Sequence, residues 1–321
     1  MRVAWLFNLD AEAELAALRS GAAPRPPGAP ARRRQAAARA QLARGVGEGG
    51  WIGPGDLVLD PGAPHPCVTG SLPDKDRSGI TPRAWSPTPS AKAAMGRAGL
   101  ALEGPPLEAL ICANARETFA SLDPLPGSSV ADSLVDLRAA VEEAPLPRSG
   151  LGASSQPAWV LRRSLSCAGG GRLVAEGWDA GVASWAASAL EQGPIEVQPL
   201  VDVVEEYSIH GWVHRGGELR CGSVLCWRSA NDASPGGELA PLVDRERARI
   251  KGSALEVGAR LRGLGYFGPF GVDAFRWRRA DGVVRLQVGT DINARWTLHF
   301  ARGAPELMRP ASGHQEHLAE G

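Results

Sequence analysis

Near the C-terminal end of the chain, apolar and polar residues alternate with a period of two. Val284, Leu286 and Val288 share one side of a strand, and Arg285 and Gln287 the other. Val272 to Trp277 is a second run rich in β-branched, aromatic and other apolar residues, and Ala280-Asp281-Gly282 between the two supplies a turn with a glycine available for positive φ. The pattern predicts a hairpin with one buried side and one side that can meet a polar ligand. Asp291 and Asn293 point the same way if the second strand continues. Loop length decides whether Asp273 joins them: a loop of Ala280 to Gly282 puts it opposite Gly289, on the face of Asp291 and Asn293, and a loop shorter by one residue turns it away.

Upstream, strand and helix signals alternate. Met1 to Asn8 reads as a short buried strand and Asp10 to Leu18 as a helix with Asp10 as N-cap. Arg25 to Gly45 is an Ala/Arg-rich stretch, helix or basic loop. Asp56 to Asp60 is a second strand, followed by a Pro/Gly-rich loop to about Pro82. Trp85 to Gly99 contains a helix with Ser90 as N-cap and Gly99 as stop, and Leu107 to Cys112 suggests a third strand. This alternation predicts a small Rossmann-like sheet. Ser133 to Glu143 reads as a helix and Ser149 to Gln156 as a flexible join. Ala158 to Gly177 is a strand, a Ser/Gly-rich loop and another strand; such a loop can fold its N–H groups over phosphates because its residues lack a bulky Cβ. Asp179 to Gln192 is an amphipathic helix packing Val182, Trp185, Ala186 and Leu190. Leu219 to Trp227 is a strand, Arg228 to Leu242 a mobile polar loop, and Asp244 to Gly265 a helix with Ile250, Ala254, Val257, Leu261 and Leu264 on one side. The stretch after Arg302 gives little sign of structure.

At 321 residues the chain can bury a large core in two or three compact units. Lys plus Arg and Asp plus Glu are 35 each, so no whole-molecule field steers it to nucleic acid or membrane. The five cysteines are odd in number and form no CxxC pair, which fits reduced thiols and a cytoplasmic setting. Cys221, Cys226, His210 and His214 are read as unrelated positions on neighbouring strands rather than a zinc set. No apolar run reaches membrane length.

The chemistry follows from the hairpin. Two carboxylates and an amide oxygen on one face form a hard, oxygen-only cluster of the kind Mg²⁺ uses with nucleotide phosphates, and Arg295 adds a phosphate-binding fork. An acidic strand end capped by a turn is the plainer alternative. Gly-Val-Asp-Ala-Phe followed by Asp-Ile-Asn-Ala-Arg-Trp-Thr resembles the closing motif of the ATP-grasp superfamily, in which Mg²⁺ is held between ATP phosphates. The resemblance implies that Asp273, Asp291 and Asn293 are metal ligands and that Arg295 contacts the phosphates or an acyl phosphate; Asp291 stands where the family usually has the longer Glu. Asn114-Ala-Arg116, with a helix running on from it, resembles the family's opening Asn-Asp-Lys segment, with Arg116 in the phosphate-binding Lys place. Arg162 takes the place of a second Lys on the following strand, with Ser164, Ser166, Gly169, Gly170 and Gly171 in the lid. Gln198, Pro199, Leu200 and Val201 then fall at the adenine edge, offering backbone groups, and Glu206 at the ribose.

The similarity covers residues 114 to 302 and implies an α/β and α+β protein of ATP-grasp architecture. Its parts would be a Rossmann-like pre-ATP-grasp domain over 1–112, a small subdomain with glycine lid over 113–197, a large subdomain with the metal hairpin over 198–302, and a polar tail over 303–321. The cofactors implied are ATP and Mg²⁺ or Mn²⁺. The activity implied is a carboxylate–amine or carboxylate–thiol ligase working through an acyl phosphate, its partners being a small-molecule or peptide carboxylate and an amine nucleophile. No nucleic acid or membrane is expected, and a homodimer stays open. Two other classes remain: a nucleotide-binding but inactive partner protein, suggested by the substitutions Arg116, Arg162 and Asp291, and a kinase phosphorylating a hydroxyl.

Overall fold

The computed structural model describes residues 2–24, 33, 35–36, 42, 51–52, 56–59, 79–142, 158–166, 171–227 and 241–308. Most of the basic stretch, the Ser149 to Gln156 join, Gly169, Gly170 and Arg228 are among the residues outside these ranges.

The chain begins with a parallel sheet. Strand β1 (Arg2–Leu6) lies between β2 (Leu57–Leu59) and β3 (Ile80–Ala84), with helix α1 (Ala11–Arg19) after β1. β3 replaces two expectations. Its sequence, ITPRA, falls at the end of what reads as a loop, because Pro82 argues against a strand. Pro82 is tolerated here because β3 is a sheet edge, where a missing N–H breaks no second ladder. The strand expected at 107–112 is instead helix α3 (Leu107–Asn114), following α2 (Pro89–Arg97). Short apolar runs fit either state; here Leu110 and Ala113, one helical turn apart, are fully buried against the hairpin core. The N-cap of α2 is Thr88, which accepts the Ala91 N–H, rather than Ser90; Gly99 has φ +70° and ends that segment as expected.

A second, antiparallel sheet follows, in the order β4 (Ser129–Ala131), β7 (Ile195–Pro199), β5 (Trp159–Arg163), β6 (Arg172–Ala175). Helices α4 (Leu134–Glu142) and α5 (Ala180–Leu190) cover it, with Asp179 capping α5 through the Val182 N–H at 2.8 Å.

The third sheet runs β10 (Leu225–Trp227), β8 (Asp202–Val213), β11 (Gly268–Arg278), β12 (Val284–Asn293), and β9 (Leu219–Cys221) also pairs with β8. The single strand expected over 219–227 is broken at Gly222, where a Cβ would collide with Gly303 O. Tyr207, Ile209, Phe270, Val272, Ala274, Leu286 and Val288 on one face pack against Ile250, Ala254, Val257 and Leu261 of helix α6 (Asp244–Gly263). Past the hairpin comes a short helix, α7 (Phe300–Gly303), and the tail expected to show little structure from Gly303 onward starts instead with another, α8 (Pro305–Met308). They carry Phe300 and Met308 into a tryptophan-rich junction with β1. There Trp5, Trp51, Trp85 and Trp296 share one core, with centroid distances of 5.4 Å for Trp5–Trp296 and 5.6 Å for Trp51–Trp85.

Candidate functional site

The hairpin turn has the predicted length: Arg279 N–H donates to Val283 O at 2.9 Å, leaving Ala280 to Gly282 as the loop. The ladder then runs in step from Arg278↔Val284 to Ala274↔Val288 and jumps to Asp273↔Asp291. The bulge is Gly289 and Thr290, with Gly289 at φ +66°. Asp273 therefore stands opposite Asp291 and not Gly289. Because the bulge holds an even number of residues, facing is preserved, and Asp273, Asp291 and Asn293 share the face away from α6. The Asn293 Nδ2 donates to Asp273 Oδ2 at 3.5 Å.

Two arginines converge on this cluster from different elements. Arg116 lies on a 3₁₀ turn, Arg116–Thr118, that follows α3; the helix expected to run on to Leu122 is this single turn. Its guanidinium forks onto Asp291, at 2.6 Å from Nη1 to Oδ1 and 3.3 Å from Nη2 to Oδ2, and Nη2 also reaches Ser166 O at 3.5 Å. Arg162 on β5 donates to Asp291 Oδ2 at 3.3 Å and to Thr290 O at 3.1 Å, and lies 3.5 Å from Glu196 and 3.4 Å from Gln198. The second sheet and the hairpin thus meet across Asp291.

The two acids titrate in opposite directions. Burial, then the charge of Asp291, pushes Asp273 up to about 8. Burial acts on Asp291 in the same sense, but Arg116 and Arg162 overcome it and hold that carboxyl below its usual range. Glu196 is raised by burial despite Arg162 and Arg116 beside it. Burial also lowers Arg162, while Arg116 is raised because Asp291 and Glu196 outweigh its burial.

The remaining predicted positions distribute around this core. Ser164 is buried and tied to Glu117 at 2.6 Å and Arg19 at 2.7 Å, so its hydroxyl is already engaged. Gly171, at φ +87°, sits where a Cβ would lie 2.8 Å from Ser166 Cβ, so the lid strand needs glycine there. Gln198 and Pro199 are held in the β5–β7 ladder, Leu200 N–H donates to Ala158 O at 2.8 Å, and Val201 packs with Leu125 and Trp277. Glu206 stands opposite Phe275, on the face of Asp273, and is raised by burial against the opposing effect of Arg172. Arg295 turns toward the N-terminal sheet: Nε pairs with Glu12, Nη1 donates to Trp296 O at 3.1 Å, and the group lies 5.8 Å from the Trp85 ring. Its charge still acts on both Asp273 and Asp291.

Sequence reasoning passed over Glu196 and Glu12. Glu196 carries a signal, since it lies two residues before Gln198 and so shares its strand face. Glu12 carries none, because its contact with Arg295 spans 283 positions.

Beside the arginine–aspartate cluster is a cavity of about 380 Å³, lined among others by Glu196, Gln198, Phe275, Gln287, Thr290 and Leu125. Its size suits a small organic ligand. The donor set accommodates an anion: two guanidiniums face one ionised carboxylate, and the buried Nε of Arg116 has no hydrogen-bond partner among the described residues. For Mg²⁺ the fit is conditional. Both Asp291 oxygens are engaged by guanidinium groups, and the described residues contain no cluster of three or more His, Cys, Asp or Glu placed for a metal. The set can hold an ion whose other ligands are phosphate oxygens, and does not form a complete protein cage.

No family model and no curated protein matches the sequence. The chain is similar in structure to several solved proteins at low sequence identity. One is an ADP complex of N5-carboxyaminoimidazole ribonucleotide synthetase, with TM-score 0.47 and 14% identity, covering 92% of this chain and 71% of that one. Another is D-alanyl-alanine synthetase A from Vibrio cholerae, with TM-score 0.47 and 12% identity, covering 91% of this chain and 88% of that one. A third is D-alanine–D-alanine ligase from Helicobacter pylori, with TM-score 0.47 and 12% identity over 92% and 91% of the two chains. No helix among the described residues is long and apolar enough to cross a membrane.

Proposed function

We propose that this protein binds a magnesium nucleotide, ATP before reaction and ADP after it, between the second and third sheets and uses it to activate a carboxylate for attack by an amine. The observation that carries the reading is the convergence of Arg116 and Arg162 on Asp291, beside Asp273 and Asn293, with Glu196, Gln198 and Thr290, which Arg162 touches, lining the adjacent cavity. Arg116 and Arg162 would bind the phosphates, releasing Asp291, and Asp273, Asp291 and Asn293 would supply the protein's oxygens to the ion. When bound, magnesium ATP supplies the phosphoryl group that makes a carboxylate reactive and the positive charge that neutralises its transfer. The protein's part is positioning and electrostatics, with no covalent side-chain nucleophile. Phe275 and Gln198 line the space left for the base, and Arg295, fixed by Glu12, adds to the positive field over the acids.

A thermal-shift series tests the reading. Magnesium ADP at about 100 times its Kd stabilises a one-site protein by about 2.7 kcal/mol, a rise of several degrees in Tm. No rise with ATP, ADP or GTP, with or without Mg²⁺, overturns it. A nucleotide-binding protein without ligase activity is the second reading, favoured by the engagement of both Asp291 oxygens by arginine. Hydroxamate formation from supplied carboxylates, ATP and hydroxylamine separates the two.

A further inference from the structure

One residue beyond the last strand links the basic and acidic halves of the site. Ala294 follows the end of β12 and is fully buried, where no neighbouring strand continues the ladder. Its backbone is taken up by a single side chain, Asn114, the last residue of α3. The Asn114 Oδ1 accepts the Ala294 N–H at 3.0 Å, and Nδ2 donates to Ala294 O at 3.3 Å and to Leu110 O at 2.9 Å. The last bond folds the side chain back onto its own helix, as a further donor to the carbonyl four residues earlier. The carboxamide therefore stands in for a missing strand on one side and is braced against its own helix on the other. Among side chains of this size only asparagine carries the required acceptor and two donors, and the bonded N–H and C=O groups fix which end is which.

The geometry points to Asn114 as a positioning residue for the nucleotide site, an inference that rests on the function proposed above. Asn293 and Arg295 flank the clamped residue, one reaching Asp273 and the other Glu12. Any rotation of Ala294 moves both. Arg116 lies two residues beyond Asn114, on a turn held by Thr118 Oγ1 donating to Cys112 O at 2.7 Å and by Arg116 N–H donating to Ser164 O at 3.1 Å. The clamp thus sets the distance between the Arg116 guanidinium and the hairpin acids. It touches no reacting atom.

The test is calorimetric titration of ADP into the full-length protein, with and without Mg²⁺, for wild type, Asn114→Ala, Asn114→Asp and Asp179→Ala. Asp179 caps α5 and serves as a variant that weakens the fold without touching the clamp. Losing a residue that orients metal ligands lowers metal affinity by about ten- to a hundredfold, so both Asn114 variants should lose at least about tenfold of the Mg²⁺-dependent gain in ADP affinity. Asp179→Ala should keep that gain even where its Tm falls as far. Asn114→Asp retains the size and the acceptor for Ala294 N–H, and gives the reading where Asn114→Ala does not fold. A folded Asn114→Asp with the wild-type gain, or an equal loss in Asp179→Ala, overturns the inference and leaves the site standing. Wild type that binds no ADP overturns the site and the inference together.

Discussion

Two charge clusters in this protein are mirror images in composition. On the α6 side of the third sheet, one cation, Arg276, sits between two acids, 3.0 Å from Glu205 and 2.5 Å from Glu246, with Pro241 O at 3.3 Å. In the cleft, one acid, Asp291, sits between two cations. The Arg276 cluster comes from β8, β11 and the first turn of α6, a sheet and the helix packed against it, and its carboxylates are further bonded by Tyr207 and the Val243 N–H. The Asp291 cluster joins a 3₁₀ turn, a strand of the second sheet and the hairpin, keeps a second acid beside it, and leaves a guanidinium nitrogen of Arg116 without a hydrogen-bond partner among the described residues. Saturation within one packed unit marks a structural knot. Unmet bonding capacity between units marks a place where a ligand can enter.

Breaking each cluster sharpens that contrast. Arg276→Ala strands two partly buried carboxylates and should cost about 3 kcal/mol in urea unfolding, with ADP affinity per folded molecule unchanged. Asp291→Asn strands the Arg116 and Arg162 guanidiniums and should also lower urea stability, but unlike Arg276→Ala it should remove the Mg²⁺-dependent part of ADP affinity, about tenfold or more by titration. The third effect is a slope with pH. Asp273 titrates near 8 in the folded chain, well above the ordinary carboxylate range, so the folded state keeps a proton that the unfolded chain has already released. Its contribution to stability is present below about pH 4 and is lost as pH rises toward 8. In ligand-free protein, Asp273→Asn should therefore gain stability relative to wild type as pH is raised from 5 to 8. A gap that stays constant over that range would show that Asp273 is ionised throughout.

How much of this could be read from sequence depended on how local each signal was. The hairpin, its turn and the shared facing of Asp291 and Asn293 follow from a period of two, while the facing of Asp273 hung on a loop length that the sequence left open. The bulge at Gly289-Thr290 altered the partner of Asp273 without changing its side. Helix α6 was legible because its apolar stripe repeats over several turns. Leu107–Asn114 was misread because eight residues are too few to separate helical from strand periodicity. Ile80–Ala84 was missed because Pro82 signals a break, and only the sheet order shows that the strand is an edge. Arg162 was placed at the cleft, but its contact with Asp291, like that of Arg295 with Glu12, is set by packing between distant segments.

Half of the chain's ten tryptophans meet at one junction: Trp5, Trp51, Trp85, Trp212 and Trp296 form a chain of indoles with successive centroids 5.3 to 5.6 Å apart. Chromophores held that close in a fixed, asymmetric arrangement give strong near-ultraviolet optical activity, a signal that vanishes when packing loosens while helices and strands persist. The molecule therefore carries its own unlabelled reporter of whether the first strand is docked against the segment leading out of the hairpin.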